Sequence, residues 1–285
     1  MSALSVVCAV VLPIYVISLR TSTSRRRAMT QRMAALGLEF EFIDAIRGGD
    51  IPPDQRHDLI SDQRRRHLGA PFSNGALGCL MSHRAAWAQI RDAHLDAAII
   101  LEDDAELAPE AIEVLPRIAA LKGRFDLINL HNTAGRPLVD AARISSTHAL
   151  SITRYASIGA VGYVVSRAAA ERLLEVSLPG IFEVDVLMNR WWEHGLRTLV
   201  LTPSIVSEDG HESTIGYSGK KPQWDRDRLH DRFMRSVNRK RDSLTKRLSF
   251  STMVRTTKAR LAGDARRRPG IDLQNPDLTW LTETN

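Results

Sequence analysis

Cysteine is nearly absent from this chain: there are two in 285 residues, Cys8 and Cys79. A pair so widely separated forms no metal-spaced cluster and no disulfide framework, so a reducing compartment is the simpler setting. Aromatic residues are sparse, at 6%, and no apolar run is long enough to cross a bilayer. The best candidate, Ala3 to Ile17, falls short of the roughly 20 residues a span needs, contains Pro13, and lacks the preceding basic residue of a secretory signal. It reads as an extension over residues 1–13 that runs into a first core strand, with a hydrophobic anchor or signal as the alternative. The phosphate-binding fingerprints Gly-x-x-x-x-Gly-Lys-Ser/Thr and strand-linked Gly-x-Gly-x-x-Gly are missing, which argues against a P-loop ATPase and an ordinary dinucleotide enzyme. A His-Glu-x-x-His zinc helix and a Gly-x-Ser-x-Gly elbow are missing too.

What is present describes a globular chain with ample core, 44% hydrophobic and 25% charged. Its length suits one large domain or a domain with an appendage. The net charge of +6 is unevenly spread: Lys220 to Arg268 holds 17 basic and 5 acidic residues, net +12, so the remainder is net −6. A basic tail beside an acidic domain suits anionic lipid head groups or a phosphorylated glycolipid. Nucleic acid would attract the same charges. Aromatics for base stacking are few in the tail, Trp224 and Phe233 among them, so nucleic acid is the weaker expectation. A solvated tail with no partner accounts for the charge equally well.

The periodicity predicts β, α, β over Ile14–Leu19, Ser22–Leu36 and Glu39–Ile43, the order of a parallel-sheet unit. Ser73-Asn74 offers a cap for a helix carrying Leu77, Leu80, Trp87 and Ile90. Ala97–Leu101 and Phe125–Leu130 read as strands, with a helix opened by Pro109 between them. Ala160–Val165 is a further strand. Ser166 caps a helix through Leu174, Val184–His194 forms one helix stopped by Gly195, and Thr198–Leu201 is a last strand. Strands alternating with helices predict an α/β fold with a mostly parallel sheet over residues 14–217, followed by a helical or disordered basic tail at 218–285.

The most informative stretch is Ala97 to Asp104. Five apolar residues end abruptly in Glu102, Asp103 and Asp104, at the carboxyl end of a strand where open α/β sheets bind ligands. Adjacent carboxylates repel unless a cation sits among them, and hard divalent ions prefer such oxygens and often bind substrate phosphates as well.

Five blocks give the chain a family resemblance. They are Tyr15-Val16-Ile17-Ser18-Leu19 with the Arg25-Arg26-Arg27 helix start, Phe42-Ile43-Asp44-Ala45, Gly75 through His83, Ile99 through Asp104, and Gly162 through Ala170. Together they resemble glycosyltransferase family 25, the bacterial lipopolysaccharide glycosyltransferases related to collagen galactosyltransferases. The resemblance implies a GT-A-like fold, a nucleotide-sugar donor such as UDP-galactose, a Mn2+ or Mg2+ ion and inversion at the anomeric carbon. It implies a lipopolysaccharide or related glycan acceptor; because nucleotide sugars are made in the cytoplasm, work at the cytoplasmic face, peripheral to the membrane, is expected.

On this reading Glu102 and Asp104, pointing the same way in an extended segment, are the expected metal ligands, with Asp103 turned toward the nucleotide. His211, in a C-terminal loop, is a third candidate ligand, although the family is usually serine-rich there. Ser18, Arg20, Arg26 and Asp44 gather at the strand-end rim to meet the nucleotide, arginine being able to bind diphosphate oxygens bidentately. Ser82 and His83 are expected to contact sugar or phosphate. Asp185 falls where the family carries an acid and is the candidate general base, though it would serve equally as a helix N-cap; Asp209 is the alternative base. Two other classes fit parts of the pattern. A metal-dependent phosphoryl hydrolase could use the acids, and a noncatalytic basic adaptor would explain the tail.

Overall fold

The computed structural model describes residues 12–62, 64, 72–132, 137–154, 159–209 and 229–262. The predicted β-α-β start is present as β1 (Ile14–Ser18), α1 (Thr23–Ala35) and β2 (Glu41–Asp44), with Gly37 at φ 65° closing the helix. Next come α2 (Pro53–Leu59), α3 (Asn74–Asp92), β3 (Ala97–Glu102), β4 (Ala105–Leu107), α4 (Ala111–Ala119) and β5 (Leu127–Asn129). The hairpin β6 (Val139–Arg143) and β7 (Ala149–Ile152) follows, then β8 (Gly162–Ser166) and α5 (Arg167–Val176). The chain continues through α6 (Val184–Met188), α7 (Trp191–His194), β9 (Thr198–Thr202), β10 (Val206–Glu208) and α8 (Leu229–Leu261). Ser73 and Ser166 cap α3 and α5 as predicted, each accepting the N–H three residues on, from Ala76 and Ala169.

Eight strands form one sheet in the order β2-β1-β3-β8-β5-β9-β7-β6, and β10 pairs with β4 apart from it. The pairings β1–β2, β1–β3 and β5–β9 are parallel, while β8 runs against both β3 and β5, and β7 against β9 and β6. Six of the eight strands therefore point one way, with β8 and β7 reversed. This is an α/β fold with a mixed sheet, most of whose strands share one direction. Alternate residues of the central strands serve opposite faces. Ile14, Val16, Ile99 and Leu101 pack with α1, α4 and α8, while Tyr15, Ile17, Ala98 and Ile100 pack with α3, α5 and α6.

Two elements differ from expectation. The single helix predicted over Val184–His194 is two short ones, because the Asn189 amide donates to the Asp185 carbonyl at 2.8 Å and the chain turns at Asn189–Arg190. The basic tail, expected as an appendage, supplies core through α8. Met253 is fully buried and Leu261 nearly so, with Phe250 and Val254 packed beside them. Arg190 bonds Asp242 at 2.7 Å and Arg260 bonds Asp126 at 2.7 Å, fastening α8 to the sheet domain. Among the described residues no helix is long and apolar enough to cross a membrane.

Candidate active site

From β1 the chain passes to β2 on one side, and β3 lies on the other, so the sheet's winding reverses there. Such a reversal opens a crevice beyond the carboxyl ends of the strands. A cleft of about 730 Å³ occupies this place, lined by the ends of β1 and β3, the first turn of α1, the segment Ala45–Gly49 and the start of α3. The wall on the α3 side depends on two glycines. A Cβ on Gly48 would lie 1.8 Å from the Asn74 carbonyl oxygen, and one on Gly78 would lie 2.5 Å from the Ile46 carbonyl oxygen. Ser82 fastens the same contact, accepting the Ile46 N–H at 2.8 Å and donating to the Gly78 carbonyl at 2.7 Å.

The three acids have three environments. Extended backbone ends at Glu102, and Asp103–Asp104 form a turn, so strand alternation does not extend to Asp104. Asp103 is buried and satisfied: Ser18 Oγ donates to it at 2.6 Å and Arg25 Nη1 at 2.9 Å, tying the ends of β1 and β3 together. Asp104 lies 3.6 Å from Arg25 Nη1 through one oxygen, while its Oδ1 is buried with no hydrogen-bond partner. Burial, and then the Glu102 charge, pushes the Asp104 carboxyl up to about 6, against the pull of Arg25. Uncompensated buried charge of this kind clusters at functional sites.

Glu102 is held from behind by a buried relay. Trp87 Nε1 donates to the Tyr163 hydroxyl at 2.9 Å, Tyr163 lies 2.8 Å from His83 Nδ1, and His83 Nε2 lies 3.2 Å from Glu102 Oε1. Burial holds the Tyr163 hydroxyl well above the usual tyrosine range, so it keeps its proton. Donation of that proton to Nδ1 puts the imidazole proton on Nε2, where it serves Glu102. Every proton in the chain then has an acceptor. Cys79 Sγ, His83 and Glu102 also place ligand atoms within 4.8 Å of one another. In the structure, however, both His83 nitrogens carry hydrogen bonds, and burial holds the thiol well above its usual range. A hard ion is better suited by the carboxylates of Glu102 and Asp104, which both line the cleft and of which Asp104 keeps an unpaired oxygen.

The remaining expected residues are placed as follows. Arg20 and Arg26 both donate to Asp44, which they hold below the usual carboxylate range, Arg20 being the larger cause. Arg26 also donates to the Ser18 carbonyl at 2.8 Å and sits 4.6 Å over the Phe42 ring. This cluster stands beside the cleft, whose lining takes Thr21, Ser22 and Arg25 from the same stretch. Asp185, in the first turn of α6, accepts the N–H of Gly159 at 3.2 Å and of Val186 at 2.8 Å, with the cap position at Glu183. Asp209 donates its N–H to the Asp104 carbonyl at 3.0 Å, and its carboxylate binds Arg32 at 2.9 Å. His211 lies outside the described residues. Arg25, Tyr163 and Trp87 carry no separate functional signal in the sequence. Arg25 stands next to Arg26 in the helix start, and one helical step, about 100°, separates their directions.

Fold and cleft define an α/β protein whose acidic cleft sits at the switch point of its sheet. The profile described as "Glycosyltransferase family 25 (LPS biosynthesis protein)" matches residues 11–188. The chain belongs to that family and is a glycosyltransferase. Similar proteins include the lacto-N-neotetraose biosynthesis glycosyltransferases LgtE and LgtB of Neisseria meningitidis. LgtE is 26% identical over 69% of this chain and 74% of its own, and LgtB is 24% identical over 80% and 85%. Human procollagen galactosyltransferase 2 is 21% identical over 56% of this chain and 27% of its own.

Proposed function

We propose that the chain transfers a hexose, galactose foremost, from a UDP-sugar to a lipopolysaccharide or related surface glycan. The transfer is proposed to invert the anomeric carbon and to use Mn2+ or Mg2+ held by Glu102 and Asp104 in a GT-A-like site. The observation that carries this is that Glu102 and Asp104 both line the one cleft and that Asp104 keeps a buried Oδ1 with no hydrogen-bond partner, the kind of hard oxygen such an ion takes. A bound divalent ion would neutralise charge developing on the diphosphate leaving group. Galactose and the glycan acceptor are supported by the names of the similar proteins, two of lacto-N-neotetraose biosynthesis and one procollagen galactosyltransferase.

The chain's own residues divide the remaining work. Arg25 lines the cleft beside the acids and supplies a fixed positive charge toward the diphosphate. Asp103 and Ser18 hold that wall in place, and the Trp87–Tyr163–His83 relay orients Glu102. Asp185 is the proposed base for the acceptor hydroxyl, since the Asp209 carboxylate is engaged by Arg32. With a glycolipid acceptor and a nucleotide sugar made in the cytoplasm, the enzyme would work at the cytoplasmic face of a membrane, its basic C-terminal region meeting anionic head groups. Incubation of the purified chain with a panel of UDP-sugars, with manganese and then with chelator, tests the reading. Metal-dependent UDP release is expected, and NMR of the product gives the stereochemistry. No turnover or binding with any nucleotide sugar would sink it.

A further inference from the structure

The helix α8 presents two unlike faces. Inward, Asn238, Ser249, Met253, Thr256, Thr257 and Leu261 are buried against the sheet domain. Outward, Val237, Lys240, Arg241, Leu244, Arg247, Ser251, Arg255 and Lys258 are all exposed. At 100° per residue these eight fall on one stripe, about 32 Å long at 1.5 Å per residue. Five are cations and none is acidic. The one acid within this span, Asp242, turns away to Arg190. Leu244, 58% exposed, is the most exposed of the large hydrophobic side chains among the described residues and stands between Lys240, Arg241 and Arg247; Val237, 39% exposed, lies two turns before it on the same line.

A solvated helix face normally mixes charge of both signs. An acid-free stripe with bare aliphatic side chains among lysines and arginines has the composition of a helix that rests in a lipid interface, its apolar groups entering the head-group boundary and its cations meeting phosphates. Duplex nucleic acid would use the cations but gives no reason for an exposed leucine and valine at their centre. We propose that this outward stripe of α8 is the surface by which the chain lies on an anionic lipid bilayer. The inference rests on the membrane contact read above and gives it a site. Because α8 is part of the core, the stripe is rigidly attached to the catalytic domain and fixes how the cleft faces the membrane.

The test uses the full chain and sedimentation with two kinds of vesicle, phosphatidylcholine alone and equal parts phosphatidylcholine and phosphatidylglycerol. Binding is expected only to the anionic vesicles and is expected to vanish near 1 M salt, where screening acts within about 3 Å. The double variant Arg241→Glu/Arg247→Glu is expected to bind at least about 30-fold more weakly. The control Arg91→Glu/Lys122→Glu, an equal change of charge on other exposed surfaces, is expected to retain most binding. Leu244→Ser should weaken binding with no change of charge. Equal loss in the two charge variants, equal binding to neutral vesicles, or capture of duplex DNA but not of vesicles would overturn the proposal. UDP release measured in parallel separates the two readings. An enzyme that turns over without binding vesicles overturns the stripe alone, and vesicle binding without turnover overturns the transfer reading alone.

Discussion

The bare carboxylate of Asp104 predicts that its loss strengthens the fold while stopping the enzyme. In the folded chain the group titrates near 6, against a usual 3.8. A difference of about two units, at about 1.36 kcal/mol each, is a ceiling of about 3 kcal/mol. The side chain keeps 19% of its exposure, and allowing for solvent leaves about 1–2 kcal/mol. The sign follows from proton binding. Between 3.8 and 6 the folded state holds the extra proton, so the parent loses stability as pH rises through that interval. Asp104→Asn has no such dependence. It should match the parent near pH 4 and exceed it from about pH 7 upward. For a chain of this size that is about 2–8 °C in melting temperature. The assay is thermal unfolding of both proteins in chelator across pH, with UDP release from a UDP-sugar measured at neutral pH. Asp104→Asn should be more stable and inactive. An offset independent of pH, a less stable variant, or full activity would refute the reasoning.

Other expectations follow from the same geometry. His83→Gln keeps a donor where Nε2 stands and should retain much of the activity, whereas His83→Ala should raise the manganese concentration for half-activity about 10–100-fold, read by metal titration of UDP release. Equal effects in the two variants would remove the orienting role. Arg25→Ala should raise KM for the sugar nucleotide more than Arg20→Ala does, because Arg25 lines the cleft and Arg20 is engaged with Asp44 beside it; steady-state kinetics decides. Gly78→Ala forces a Cβ to within 2.5 Å of backbone at Ile46 and Gly48, so donor binding by calorimetry should fall together with melting temperature. Truncation after Tyr217 removes Met253 and Leu261 from the core, at about 1.5–3 kcal/mol each. The truncated chain should melt early or aggregate, and a stable, active one would contradict the packing of α8.

Some of this was legible in the residues. The apolar run ending in Glu102 marked both a central strand and the acidic wall of the cleft, because burial and ligand chemistry each leave a signal in residue type. Ser73, Ser166, Gly37 and Gly195 marked helix ends because caps and positive φ demand particular side chains. Strand direction leaves no such signal, so the reversal of β8 and β7 is hidden, and the β6–β7 hairpin leaves little pattern because β6 is largely exposed. The break at Asn189 depends on one side-chain bond that periodicity does not register. Trp87 and Tyr163 look like ordinary core, and only three-dimensional proximity shows that their polar atoms meet His83. The basic residues of α8 obscured Met253 and Leu261, spaced two helical turns apart on the buried side.

The central claim is that Glu102 and Asp104 form a divalent-ion site for a diphosphate leaving group. Its most direct test is calorimetric titration of manganese into the purified chain, with and without UDP, for the parent and for Asp104→Asn. The account predicts one site in the parent, tightened by UDP and absent in the variant. Equal manganese affinity in both proteins, or UDP binding indifferent to the metal, would contradict it.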